Sequence, residues 1–327
     1  MASRLALVTG ANGFVGSNLV RHLHTRGWRV RVMVRATSNT RLIDDLPVER
    51  VIGDVTDAGS LPPSIEGVDV IFHVAGLINA VDEPAFMRVN AAGTASLVDA
   101  VLASSSPPVF VNVSSVAAAG PSTPELPRAN DGSAEPLSAY GRSKRAGELE
   151  LARLHGVTRV ANLRPPIIYG PGDTATLPLF RLASRGISLR LSGADAVMSF
   201  VHVDDLCSFL ERAALSERAS GTHFATGPED ATIPGFCRAI AAAAGKGSLE
   251  FTIPRWALSV AATGVDLATR VGIKAPPAGR DKLHEALAPG WSFSNASLCD
   301  SLAWSPAIEL ADGTASTLRW FREQRWL

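Results

Sequence analysis

A short apolar run, Arg4 to Thr9, passes directly into Gly10-Ala11-Asn12-Gly13-Phe14-Val15-Gly16 and then into residues of helical periodicity. Nothing else in the chain restricts its fold as much. Glycines at this spacing on a strand-to-helix turn let the backbone pass where a side chain would block it. The helix that follows offers unpaired N–H groups and the positive end of its dipole to an anion. A tight turn with no ligand would also hold glycines. Here the turn follows the first strand of a βαβ unit, and that position points to a pyrophosphate on Gly10, Asn12, Gly13, Phe14, Val15 and Gly16.

The first half of the chain alternates short Val- and Ile-rich runs with stretches of helical spacing, the pattern of βαβ units and a parallel sheet. Strands are expected at Arg4 to Thr9, Arg29 to Val34, Arg50 to Ile52, Val70 to Val74, Val109 to Val113 and Arg159 to Leu163. Helices are expected over Phe14 to Thr25, Glu83 to Ala103 and Ala139 to His155. The expected class is α/β, a Rossmann doubly wound parallel sheet with helices on both faces. The stretch from Gly120 to Pro136 reads as a surface loop. After Gly170 the alternation loses its regularity, with strand-like runs only at Ser199 to Val203 and Thr222 to Ala225. This divides the chain into a cofactor domain, 1–170, with returning segments near 199–226, and a smaller, mostly helical substrate domain, 171–327.

Composition excludes several function classes. Lys plus Arg total 31 and Asp plus Glu total 31, so no net charge draws the chain to nucleic acid. Cys207, Cys237 and Cys299 are far apart and form no CxxC pair, so neither a disulfide framework nor a metal site is expected. No signal-peptide pattern opens the chain, and a cytoplasmic location is expected. Ile253 to Ile273 is largely apolar, but Arg255, Asp266 and Arg270 interrupt it. A helix packed on the domain, or one in peripheral contact with a membrane, is expected there rather than a span.

About 20 residues beyond the glycine loop, chains that bind NAD place an acidic side chain on the ribose 2′-hydroxyl. This chain has Arg35, followed by Thr37, Ser38, Asn39 and Arg41. A guanidinium forms charge-assisted bonds with a 2′-phosphate that a carboxylate would repel. The cofactor expected is therefore NADP(H), with NAD(H) as second choice.

Tyr140 and Lys144 stand four apart, on one face of a helix. An ammonium nearby, together with the charge of an oxidised nicotinamide, would lower the phenol pKa and let Tyr140 exchange a proton with an alcohol near neutral pH. Ser115, at the C-terminal end of the fifth strand, lies where open α/β sheets bind ligands. Its hydroxyl could hold a substrate oxygen.

The glycine loop, Asp54-Val55, Ala75-Gly76, Asn90 in Val89-Asn90-Ala91-Ala92-Gly93-Thr94, Ser115, and Tyr140 with Lys144 occur in an order that resembles the extended short-chain dehydrogenase/reductase superfamily of epimerase/dehydratase type. The likeness covers essentially the whole chain. It implies Tyr140 as the acid/base, Lys144 as the residue that binds the nicotinamide ribose, and Ser115 as the substrate-orienting hydroxyl. It also implies that Asp54 and Val55 flank the adenine, and that Asn90 seats a helix or joins a proton relay. Val74, Ala75 and Gly76 would lie along the cofactor, and Pro165, Ile167 and Ile168, in Leu163-Arg164-Pro165-Pro166-Ile167-Ile168-Tyr169-Gly170, would line the nicotinamide. Tyr169 and His202 are expected to be packing residues.

Within that superfamily, nucleotide-sugar epimerases and dehydratases are the rival to a simple dehydrogenase or reductase. Many of them grip a diphosphate with an Arg where this chain has Met198, and with another near Gly172-Asp173; the dehydratases' Asp-Glu pair is replaced by Val116-Ala117. A diphosphate needs cations to offset its desolvation. The chain is more similar to the dihydroflavonol-reductase and 3β-hydroxysteroid-dehydrogenase branches, which implies a hydrophobic small-molecule ketone or alcohol. Relatives that only bind or assemble commonly lose the Tyr or the Lys, and both are kept here. By resemblance, the exposed faces of the helices Glu83 to Ala103 and Ala139 to His155 would form the contact of a homodimer.

Overall fold

The computed structural model describes residues 3–126, 128, 134–192, 196–254 and 284–327. The strands are β1 (Leu5–Thr9), β2 (Arg29–Val34), β3 (Glu49–Ile52), β4 (Val70–His73), β5 (Val109–Val113), β6 (Val160–Arg164), β7 (Ile167–Tyr169), β8 (Ile187–Leu191), β9 (Met198–His202), β10 (Gly221–Phe224), β11 (Asp230–Ala231) and β12 (Leu249–Ile253). The described helices are α1 (Phe14–Thr25), α2 (Leu61–Ile65), α3 (Glu83–Phe86), α4 (Gly93–Leu102), α5 (Ala139–Glu150), α6 (Leu177–Ala183), α7 (Val203–Leu215), α8 (Ile233–Ala243), α9 (Ala296–Leu302) and α10 (Leu310–Glu323).

Seven strands form one sheet in the order β10-β6-β5-β4-β1-β2-β3, with every pairing parallel. Alternation along β1 shows why both faces must be covered. Ala6 and Val8 join Leu19, Val20 and Leu23 of α1 and Leu206, Phe209 and Leu210 of α7 on one side. Leu5 and Leu7 join Leu61 and Ile65 of α2 and Leu97, Val98 and Val101 of α4 on the other. A strand apolar on both faces is stable only between two helical layers. The chain winds outward from β1 to β3 and then restarts on the other side at β4. Between the C-terminal ends of β1 and β4 lies the crevice where such sheets bind ligands.

The helix expected over Glu83 to Ala103 is not continuous. α3 ends at Phe86, a π-helical turn occupies Met87–Ala92, and α4 begins at Gly93. The helix expected to run to His155 is α-helical to Glu150 and tightens to a 3₁₀ turn over Leu151–Leu154. Gly156, at φ +76°, then turns the chain away.

Of the two later strand-like runs, β10 pairs with β6 in the main sheet, whereas β9 pairs with β7 and β11 in a separate three-stranded sheet. β8 and β12 form a parallel pair. Tyr169, Phe180, Phe200, Phe236 and Phe321 pack into a distinct core beside these strands, with Phe200 stacked on Phe236 at 4.7 Å between centroids. Among the described residues no helix is long and apolar enough to cross a membrane. The apolar stretch expected from Ile253 lies outside the described residues from position 255 to 283.

Candidate functional site

A cavity of about 1000 Å³ opens along the C-terminal ends of the central strands. Every site residue expected from the sequence borders it except Pro165. That ring is buried, and its carbonyl accepts the Val116 N–H at 3.0 Å, so Pro166 reaches the cavity in its place.

The glycine loop is shaped by its own backbone. Gly10 has φ +67°, and a Cβ there would stand 2.7 Å from the Ala75 nitrogen. A Cβ on Gly16 would come within 2.1 Å of the Gly10 carbonyl oxygen. Gly13 caps α1 with no side-chain hydrogen bond, so the first N–H groups of that helix remain available to an anion. The loop therefore fits a pyrophosphate. Arg35 also borders the cavity and is exposed; its backbone N–H donates to Ser38 Oγ at 3.1 Å and its carbonyl accepts from the Ser38 N–H at 2.9 Å. Among the described residues its guanidinium has no partner. Asp54 Oδ1 accepts from the Thr56 N–H at 2.9 Å and from its hydroxyl at 2.8 Å, which fixes the carboxylate at the cavity wall.

His73 holds the crevice open from below. The Thr94 hydroxyl donates to the Asn90 carbonyl at 2.8 Å, so it accepts from His73 Nε2–H at 3.0 Å. His73 Nδ1 then accepts from the Thr9 hydroxyl at 2.8 Å, whose oxygen takes the N–H groups of Val74 and Ala75 at 3.2 and 3.1 Å. This chain pins the ends of β1 and β4 to the π turn and admits only neutral imidazole. Burial, with Lys144 nearby, lowers the His73 pKa from 6.5 to about 3. Between those values the unfolded chain binds a proton that the folded chain refuses. The resulting stability is complete above about pH 6.5 and is lost as the pH falls towards 3. Urea unfolding at pH 5 should therefore show on the order of 2 kcal/mol less stability from this group than at pH 7. A His73→Gln variant should show a correspondingly flatter dependence; an unchanged slope would contradict this origin.

Ser115, Tyr140 and Lys144 converge on the cavity where β5 ends. Ser115 caps a 3₁₀ turn over Val116–Ala118, its Oγ accepting from Ala117 N–H at 3.1 Å. Ser138 caps α5 through the Gly141 N–H at 3.0 Å, and one turn of that helix aligns Tyr140 with Lys144. Lys144 Nζ donates to the Val113 carbonyl at 2.8 Å, and burial, opposed by Glu148, lowers its pKa to about 8. Burial pushes Tyr140 up to about 12, Glu285 adds to the rise, and the hydrogen bond with Ser115 opposes it. With its ammonium directed to Val113, Lys144 does not bring the phenol down.

Asn90 has the seating role. Its amide nitrogen donates to the Leu77 carbonyl at 3.0 Å and to Ser143 Oγ at 2.9 Å, and its oxygen accepts the Leu77 N–H at 2.8 Å. The loop after β4 is thus tied to α5. Below the site a buried carboxylate, Glu148, takes two hydrogen bonds from Arg164, at 2.8 and 2.6 Å, and one from Ser114 at 2.6 Å. Burial works against the charge of Glu148, but Arg164 and Ser114 hold its carboxyl below the ordinary value. The pair fixes α5 against β5 and β6, and with them the positions of Tyr140 and Ser115.

Several cavity residues were not anticipated. Met198, Ser199, Glu285, Ala286 and Trp291 also line it. Met198 stands where many nucleotide-sugar enzymes of the superfamily would carry an arginine. Tyr169 and His202 are almost fully buried and lie outside the cavity, as expected of packing residues. Among the described residues that line the cavity, the only Arg or Lys side chains are Arg35, Arg88 and Lys144.

Residues 6–227 match the NAD dependent epimerase/dehydratase family. The chain is 32% identical to ceramide reductase of Caulobacter vibrioides over 327 residues, covering 100% of this chain and 97% of that protein. It is 29% identical to UDP-glucose 4-epimerase of Mycolicibacterium smegmatis, over 97% of this chain and 98% of the other. Among solved structures, gox2253 superposes with a TM-score of 0.79 at 27% identity, covering 98% of this chain and 99% of that one. Both a reductase and an epimerase are thus similar along nearly the full chain.

Proposed function

Since the chain belongs to the NAD dependent epimerase/dehydratase family, whose members are NAD-linked oxidoreductases and epimerases, we propose that it is an NADP(H)-dependent reductase of a ketone on an apolar small molecule. The observation that carries this reading is that Met198, Ala286 and Trp291 line the cavity, and that Arg35, Arg88 and Lys144 are the only cations in its described lining. A nucleotide-sugar diphosphate placed against Met198, Ala286 and Trp291 would lose its hydration without gaining a counter-charge from these residues. An aliphatic or aromatic ketone loses nothing comparable and gains from burial. The likeness to a ceramide reductase supports the same choice.

In this reading the N–H groups at the start of α1 hold the pyrophosphate, Arg35 and Ser38 hold the 2′-phosphate, and Asp54 and Val55 border the adenine. The reduced nicotinamide, when bound, supplies the hydride. Ser115 donates to the carbonyl oxygen and orients it. Tyr140 gives its phenolic proton to that oxygen as the carbonyl carbon is reduced; a phenol held near 12 is protonated at neutral pH, and the oxygen that becomes an alkoxide on hydride arrival is the stronger base that takes the proton. Lys144, with a pKa near 8, keeps a positive charge beside the reacting groups over most of the physiological range. The test is turnover: the protein with NADPH should reduce long-chain alkyl ketones and leave UDP-glucose unchanged. Conversion of UDP-glucose to UDP-galactose without ketone reduction would overturn the reading in favour of epimerisation.

A further inference from the structure

Of the three carboxylates in the described cavity lining, Asp54 and Asp173 accept hydrogen bonds from the residues that follow them, whereas Glu285 sits 147 positions along the chain from its partner Ser138. Its backbone carbonyl accepts from Trp291 Nε1 at 2.9 Å, and its Oε1 accepts from the Ser138 hydroxyl. Ser138 in turn caps the helix that carries Tyr140 and Lys144. The carboxylate is therefore held from both sides, next to the reacting groups, and its charge is felt by the phenol. Among the described residues no cation pairs with it, and no donor reaches Oε2. An apolar substrate closing over this position would strip water from that oxygen. A desolvated carboxylate oxygen without a donor is costly, and one with a donor gains a charge-assisted bond.

We propose that Glu285 selects the substrate: it accepts a hydrogen bond from an N–H or O–H group borne on the carbon next to the reacting carbonyl, so that the preferred ligand is an α-amido, α-amino or α-hydroxy ketone on an otherwise apolar skeleton. This rests on the ketone-reductase reading above. It adds a polar anchor that the apolar lining alone would not supply. The selectivity comes from the penalty on the wrong ligand as much as from the bond to the right one.

The test compares a linear dodecanone with the same dodecanone carrying an acetamido group beside the carbonyl, each reduced with NADPH. The wild type should favour the acetamido ketone by about tenfold or more in kcat/KM. In Glu285→Leu the ratio of the two values should fall to about one, whatever the variant's overall rate. Glu285→Gln keeps an acceptor for Ser138 and should retain part of the preference, which separates loss of the anchor from a displaced loop. Equal kcat/KM for the two ketones in the wild type, or an undiminished ratio in Glu285→Leu, would overturn the anchor while leaving ketone reduction standing. Turnover of neither ketone by the wild type would overturn both.

Discussion

A Tyr140→Phe variant is expected to lose about 10²- to 10⁴-fold in kcat while binding NADPH within about twofold of the wild type. The phenol oxygen is the only atom removed, and it is the atom that meets Ser115 at the end of β5. Its loss leaves the glycine loop, Arg35 and Lys144 in place, so the cofactor half of the cavity is untouched. The ring also survives, with Phe86 at 5.9 Å between centroids, so α5 keeps its packing against α3. Steady-state turnover and calorimetric titration with NADPH, run on one preparation, separate the two effects. Full activity in the variant would remove Tyr140 from the chemistry.

Arg35→Asp should invert the choice of cofactor. Two charge-assisted bonds to a 2′-phosphate are worth about 1.5–3 kcal/mol each, and a carboxylate in their place adds repulsion. NADPH should bind at least about 100-fold more weakly, and NADH should bind as well or better, because Asp accepts from a 2′-hydroxyl. The guanidinium has no partner among the described residues, so the substitution costs the fold little. Side-by-side titrations with the two dinucleotides check this. If both affinities stay where they are in the wild type, the 2′-phosphate is held elsewhere.

The βαβ half was legible because its signals are local. A strand such as Leu5–Thr9 is apolar on both faces, and Gly10 to Gly16 can be recognised without knowing what packs on them. Tyr140 and Lys144 are one helical turn apart, so spacing alone unites them. The π turn at Met87–Ala92 was not legible. Its residues follow helical periodicity, and the irregularity is stabilised by Asn90 binding Leu77 and Ser143, partners that sequence spacing does not join. β7 escaped notice because it is three residues long and follows Pro165-Pro166; β8 and β12 pair only with each other and lack the Val- and Ile-rich runs of the main sheet.

His73 read as one more residue of a buried strand, since nothing local shows that both ring nitrogens are engaged. Glu285 had no signal at all: its meaning depends on Ser138 and Trp291, contacts made only on folding. The contribution of the protein's own groups to the phenol pKa was not legible for a related reason. Spacing places an ammonium near Tyr140 but does not reveal that Val113 holds the ammonium or that Glu285 contributes a negative charge. Electrostatics in a cavity depends on every group facing it, and one face of one helix supplies only part of that set.

The most direct measurement is isotopic. NADPH deuterated at the transferable position of the nicotinamide would be incubated with the protein and the acetamido dodecanone, and the product analysed by mass spectrometry and NMR. Hydride transfer assisted by Tyr140 should place deuterium on the new carbinol carbon, with one NADPH oxidised per alcohol formed and the transfer slowed by about 10²- to 10⁴-fold in Tyr140→Phe. Alcohol without deuterium at that carbon, or no net oxidation of NADPH alongside epimerisation of a nucleotide sugar, would contradict ketone reduction as the function of this site.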